Sequence, residues 1–297
     1  KKHLNFNSLV KDLSDQMSRI EDDRQAGKVN HSVHDCCMSA FAMMFFQDPS
    51  MLEFQTRLDE IHNLNNLKTL FHVQSIPKST QFREITDNVP SADIEKVFPN
   101  YFKKLQRGKQ LEPYRFLNGA YLITLDGSQQ FSSESIHCSD CLQKNLKSGQ
   151  IIYHHQVLCS AVVHPDIRHV VPLAPEPIHR IDGQSKQDCE INAGKRMLDK
   201  IRKDHPKLPI IILGDSLYSK QPFVDKLKEK NMSFILAAKP DDHKVLFEWV
   251  SEIKQMKESQ RLEFRDLQGR QHIFEWINDV PLNGRKDAHD VNYFGYT

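Results

Sequence analysis

The chain has 297 residues, 39% of them hydrophobic and 27% charged, with a net charge of +1. This is a globular composition, long enough for one large domain or two smaller ones. No apolar run approaches the roughly 20 residues that cross a bilayer and no secretory segment opens the chain, so a membrane or exported class is set aside and a cytosolic setting is expected. A net charge so close to zero means that contact with nucleic acid would have to rest on local patches. The six cysteines, at 36, 37, 138, 141, 159 and 189, read as thiols or metal ligands rather than as a disulfide framework. Lys1 at the start and the strand-like Tyr293–Thr297 at the end give both termini the look of interior sequence.

Residues 1–115 read as helical. Leu9, Val10, Leu13, Met17 and Ile20 recur at three- and four-residue spacing, which predicts an amphipathic helix over 8–20. His34 to Gln47 is nearly all apolar or small, which predicts a buried core helix holding the vicinal pair Cys36-Cys37. It stops at Asp48-Pro49, and more helix follows. Between Ile76 and Leu105 two short helices flank a turn around Pro90, with Ser91 as the expected cap of the second. That pattern fits a helix-turn-helix module and a plain helical hairpin equally. In the first case Lys78, Thr80, Gln81 and Arg83 are the residues that would meet DNA.

From residue 116 the periodicity changes. Ala120–Asp126 predicts a strand closed by Gly127, and Ile151–Val163 and Arg168–Ala174 predict a hairpin. Gln184–Lys203 predicts a helix. Pro209–Asp215 is a continuous apolar run, the pattern of a strand buried on both faces. A helix over 219–230, a strand over 233–238 and a helix over 242–255 follow. The tail 261–279 alternates like a hairpin around Gly269. The expected class is α/β: a helical domain over 1–115, a core over 116–260 whose order of elements resembles the ribonuclease H-like fold, and a β-rich insertion beginning at 261–297.

Asp126 and Asp215 are each predicted at the carboxyl end of a strand, the edge at which open α/β sheets bind ligands. Two carboxylates meeting there repel one another and call for a cation between them, and oxygen ligands suit Mg²⁺ or Mn²⁺. Two such ions about 3.5–4 Å apart can activate a nucleophile and stabilise the leaving oxygen of a phosphodiester. Asp-Gly is also ordinary turn chemistry. Glu190, near the start of the crossover helix, is either an auxiliary acid or a carboxylate favoured by the helix dipole. Glu248, flanked by Phe247 and Trp249, reads as ordinary amphipathic packing. Lys239 is predicted at the same sheet edge as a phosphate contact. The run Lys195, Arg196, Lys200, Arg202 and Lys203 is either a path for a DNA backbone or a solvated helix face.

The segment 116–142, with Thr124-Leu-Asp126-Gly and His137-Cys138-x-x-Cys141-Leu, resembles the first-aspartate region of bacterial insertion-sequence DDE transposases. So do Gln187–Arg196, Ile212-Leu-Gly-Asp215-Ser-Leu-Tyr218-Ser, and the helical stretch Ala40–Phe54. The resemblance implies DNA cleavage and strand transfer in transposition, with Asp126 and Asp215 as the first two members of a metal-binding triad. It implies Mg²⁺ or Mn²⁺ in a two-metal site, double-stranded DNA as the partner, action as a homodimer on paired ends, and a nucleoid-associated, cytoplasmic setting in a bacterium. The family's third member, a Glu on a helix beyond the insertion, has no counterpart before Thr297. An inactive DNA-binding remnant is therefore the competing expectation. Finally, Cys138-x-x-Cys141 has the spacing of half a zinc site, with Cys159, Cys189, His154 and His155 as possible partners, and two free thiols as the alternative.

Overall fold

The computed structural model describes residues 3–58, 61–180 and 186–297. It divides into two compact units, one of residues up to Tyr114 together with 171–174, the other of Arg115–Val170 and Pro175–Thr297. Among the described residues no helix is long and apolar enough to cross a membrane.

The first unit is helical. In chain order it holds α1 (Phe6–Met17), α2 (Val33–Phe45), α3 (Met51–Leu58), α4 (Ile61–Phe71), α5 (Ser79–Thr86), α6 (Ser91–Glu95) and α7 (Val97–Arg107). Helix α1 starts at Asn5, whose side chain accepts from the Ser8 amide at 2.9 Å, and buries Val10, Leu13 and Met17. Ser32 caps α2 in the same way. Asp35 in its first turn is buried and accepts from the amides of Gln74 (3.1 Å) and Ser75 (3.2 Å), tying the loop after α4 to the helix.

Two expectations change here. The apolar stretch of α2 is core only in its first part: Cys36, Met38 and Ala42 are buried, whereas Met44 and Phe45 and the following Phe46 are exposed. Burial pushes the Cys36 thiol up to about 12 and that of Cys37 to about 11. Ser91 is not a cap but the first helical residue of α6; Pro90 holds the cap position with no side-chain bond. Proline's fixed φ suits the start of a helix, and this removes the need for a hydroxyl there.

In the second unit the elements are β1 (Arg115–Phe116), β2 (Ala120–Ser133), β3 (Leu142–Asn145), β4 (Ile151–His164), β5 (Ile167–Pro172, whose last two residues are counted with the first unit), β6 (Glu176–Ile178), α8 (Lys186–Asp204), β7 (Ile210–Gly214), α9 (Gln221–Glu229), β8 (Ser233–Leu236), α10 (Lys244–Gln255), β9 (Gln260–Arg265), β10 (Gln271–Pro281) and β11 (Asp290–Tyr296). The main sheet is mixed, in the order β3-β4-β2-β7-β8. Strand β4 runs antiparallel to β2, while β7 runs parallel to β2 and β8 parallel to β7. Ile210, Ile211 and Ile212 are all buried, as the continuous apolar run predicts for a strand covered on both faces. Each such side chain removed from water contributes about 1.5–3 kcal/mol. A second sheet, β11-β10-β9, packs Ile277 and Val280 against Leu246 and Val250 of α10.

The strand predicted to close at Gly127 does not close there. β2 continues to Ser133, because β4 is fourteen residues long and keeps offering it a partner: Asp126 pairs with Cys159, Gly127 with Leu158, and the ladder reaches Ser133 opposite Tyr153. One extra residue is accommodated between Gln129 and Phe131 as a bulge.

Candidate active site

The parallel pairing of β2 with β7 ends at Thr124 opposite Leu213. Asp126 and Asp215 each lie two residues past that pair, so they leave neighbouring strands, about 4.8 Å apart, at the same level. Both are exposed. Asp126 lies within β2 rather than at its end, yet it stands where the parallel half of the sheet stops. The Asp215 carboxylate accepts from the Leu217 amide at 2.9 Å, a side-chain turn that fixes it just beyond β7.

Glu190 of α8 packs against Gly127, the residue after Asp126 on β2. A carbon added at Gly127 would lie 3.1 Å from Glu190 Oε1, so the bare glycine is what lets this carboxylate lie against β2. The hydroxyl of Tyr218 donates to the same oxygen at 3.1 Å. Tyr218 is 1% exposed. Burial pushes its hydroxyl far above the usual tyrosine range, and the negative charges of Glu190, Asp215 and Asp126 push it further. One buried phenol thus senses all three carboxylates. On the other side of Asp126, the Cys159 thiol is raised by burial and by the Asp126 charge.

The donor set is all oxygen and all anionic, which is the chemistry of a hard divalent cation. Asp126, Asp215 and Glu190 do not bring their oxygens within 4.8 Å of one another; among the described residues, the group whose ligand atoms do is Cys138, Cys141 and His155. That group draws together both predicted cysteines and one of the four suggested partners. Cys159 lies opposite Asp126, His154 is buried on the other face of β4, and Cys189 is buried on α8. His137 stacks on Tyr153 with ring centres 4.2 Å apart.

The basic residues divide. Lys239 is exposed three residues past β8, and its carbonyl accepts from the amides of Asp242 and His243. Since Leu236 pairs with Gly214, Lys239 stands at the same sheet edge as Asp215. In the helical unit Lys78 and Arg83 are exposed at the start and middle of α5, as are Thr80 and Gln81. The run on α8 is mostly committed to the fold. Arg196 (2.6 Å) and Lys200 (2.7 Å) both pair with the buried Glu176 of β6. Arg202 donates to the carbonyls of Lys230 (2.8 Å), Asn231 (2.9 Å) and Leu208 (2.9 Å), closing the ends of α8 and α9. These three are structural, because a partner carboxylate or a cluster of orphan carbonyls claims each of them. Lys195 instead joins Lys220 and Arg285 along a cleft of about 500 Å³ that Ile191, the residue after Glu190, also lines. Glu248 is exposed on α10 between Phe247 and Trp249, away from these groups in the chain and without a part in them.

No protein-family model matches the chain, and no curated protein does either. Among solved structures the chain is similar to a piggyBac transposase synaptic complex with hairpin DNA, with a TM-score of 0.36 and 12% identity over 96% of this chain and 56% of that one. It therefore spans little more than half the length of that relative. It is also similar to a Mos1 mariner paired-end complex with Mn, with a TM-score of 0.20 and 16% identity over 80% of this chain and 72% of that one.

Proposed function

We propose that the chain carries the metal-dependent nucleic-acid cleavage centre of a DDE-type transposase on a ribonuclease H-like sheet. The observation that carries this reading is the in-register exit of Asp126 and Asp215 from a parallel strand pair, with Glu190 packed against the neighbouring Gly127 and hydrogen-bonded by Tyr218. The block resemblance around both aspartates supports it. Asp126 and Asp215 are the residues that would hold Mg²⁺ or Mn²⁺. Bound there, the cations would lower the pKa of an attacking water or 3′-hydroxyl and neutralise charge on the leaving oxygen of a phosphodiester.

The chain's own residues do the rest. Tyr218 engages Oε1 of Glu190, which leaves Oε2 as the atom to take a proton from the nucleophile. Lys239 at the same edge, and Lys195, Lys220 and Arg285 along the adjoining cleft, supply positive charge for a phosphate backbone. Lys78 and Arg83 would meet DNA from the helical unit. The substrate is double-stranded DNA, at the ends of the mobile element and at the target, and the acting form is a homodimer on paired ends.

The test uses protein carrying Asp126→Asn or Asp215→Asn with duplex DNA bearing the ends of the element that encodes it. Both variants should bind those ends as wild type does and yield neither nicked nor strand-transfer products with Mg²⁺ or Mn²⁺. Cleavage that survives either change overturns the assignment of the site. Wild-type protein that binds but never cuts would make the chain the inactive remnant.

A further inference from the structure

We infer that Cys138, Cys141 and His155 bind one Zn²⁺ ion, in a centre separate from the three carboxylates. The two Sγ atoms are 3.8 Å apart, and each lies 3.3 Å from His155 Nε2. A tetrahedral zinc with Zn–S of about 2.3 Å and Zn–N of about 2.0 Å requires an S···S edge of about 3.8 Å and S···N edges of about 3.5 Å. The three atoms therefore already form one face of such a tetrahedron. They are also too far apart for a disulfide, which brings the sulfurs to about 2.05 Å.

The arrangement is built by the sheet rather than by chance proximity of a loop. Strand β3 pairs with β4 so that Leu142 faces His154, and the next position along that ladder sets Cys141 level with His155. Strand β4 alternates, with His154 buried, so His155 projects from the opposite face, the face that Cys159 also shares. Between Cys138 and Cys141 the chain turns tightly, and the Cys138 amide points at Cys141 Sγ at 3.3 Å. Cys138 is exposed, so the fourth position would open on its side, within reach of a solvent water.

Two thiolates and an imidazole form a borderline-soft set that selects Zn²⁺ over Mg²⁺ or Mn²⁺, whereas the carboxylate cluster has the reverse preference. His155 and Cys159 are four residues apart on β4, so the centre lies about 13 Å along the strand from the partner of Asp126. Its effect is local: it fastens 134–141, which has no regular structure, to the start of β4.

The test is metal analysis of purified, reduced protein, with Co²⁺ substitution of the apo form. The expected result is one zinc per chain that survives dialysis against excess Mg²⁺. Cobalt should add a thiolate charge-transfer band together with strong visible bands of tetrahedral geometry. Cys138→Ser, at an exposed position, and His155→Ala should each lower zinc affinity at least tenfold and weaken or abolish the cobalt bands. Cys37→Ser should retain both. Reduced wild-type protein without zinc and without a cobalt thiolate band overturns the inference. So does full zinc occupancy, at wild-type affinity, in the Cys138→Ser/His155→Ala double variant.

Discussion

Gly127→Ala is the sharpest probe of the carboxylate cluster. In an ordinary strand, exchanging glycine for alanine gains about 0.5–1 kcal/mol by reducing the freedom of the unfolded chain. In a domain of this size that would raise Tm by roughly 1–4 °C. Here the added carbon would sit 3.1 Å from Glu190 Oε1, 3.4 Å from its Cδ and 3.6 Å from Oε2. The carboxylate must give by a few tenths of an ångström, and the oxygen that shifts is the one that also receives the Tyr218 hydroxyl at 3.1 Å. A hydrogen bond to a charged group is worth about 1.5–3 kcal/mol. Weakening it outweighs the glycine gain, for an expected net loss of about 1 kcal/mol, a fall in Tm of roughly 2–4 °C. Metal-dependent DNA cleavage should drop about tenfold, since small misplacements of reacting groups are costly. Thermal denaturation and single-turnover cleavage over a Mg²⁺ titration measure the two effects. With Glu190→Ala in the background, the alanine should recover its stabilising sign, a coupling that a double-mutant cycle reads directly. A rise in Tm by the full glycine-to-alanine increment with unchanged cleavage would refute the reasoning.

Other expectations follow from the packing. Gly194→Ala improves helix propensity in α8, yet its Cβ would meet Phe223 Cε2 at 2.9 Å and Tyr218 Cε1 at 3.2 Å; a destabilisation of about 1–3 kcal/mol by chemical denaturation is expected, and a gain would contradict the close approach. Arg196→Ala should cost about 1–3 kcal/mol by leaving Glu176 with Lys200 alone, and should leave the salt dependence of DNA binding unchanged; a shallower salt slope at constant Tm would make Arg196 a phosphate contact instead. The Cys36 and Cys37 thiols are raised on folding, so the stability they contribute is complete below about pH 9 and declines as pH rises toward 11 and 12. Urea denaturation at pH 8 and pH 10.5 should show that loss in the helical unit, and Cys37→Ala should reduce it.

Much of the sheet is legible in the sequence because burial on both faces leaves an unbroken apolar run, as at Ile210–Leu213. Asp215 is found for the same reason, as the first polar residue after that run. Asp126-Gly127 misleads: the dipeptide reads as a turn, whereas here glycine makes room for a carboxylate from another element, and only the length of β4 reveals that the strand goes on. Strand β3 escapes notice because Leu142–Asn145 is short and three of its four residues are polar. The choice of His155 among four possible partners of the cysteines could not be made from spacing, since it depends on the register that sets Cys141 opposite it. The α8 basic run has the same limit: charge is visible in sequence, but the buried Glu176 that claims two of its members is twenty residues away.

The bulge at Gln129–Phe131 has a consequence for how this chain can change over generations. It lets β2 differ in length by one residue while β4 keeps its alternation intact from His155 to Cys159. A single insertion or deletion between those two positions of β4 would turn one of them to the opposite face of the sheet. Length variation among descendants should therefore accumulate on the β2 side of the ladder, in 128–137, and be purged from 155–159.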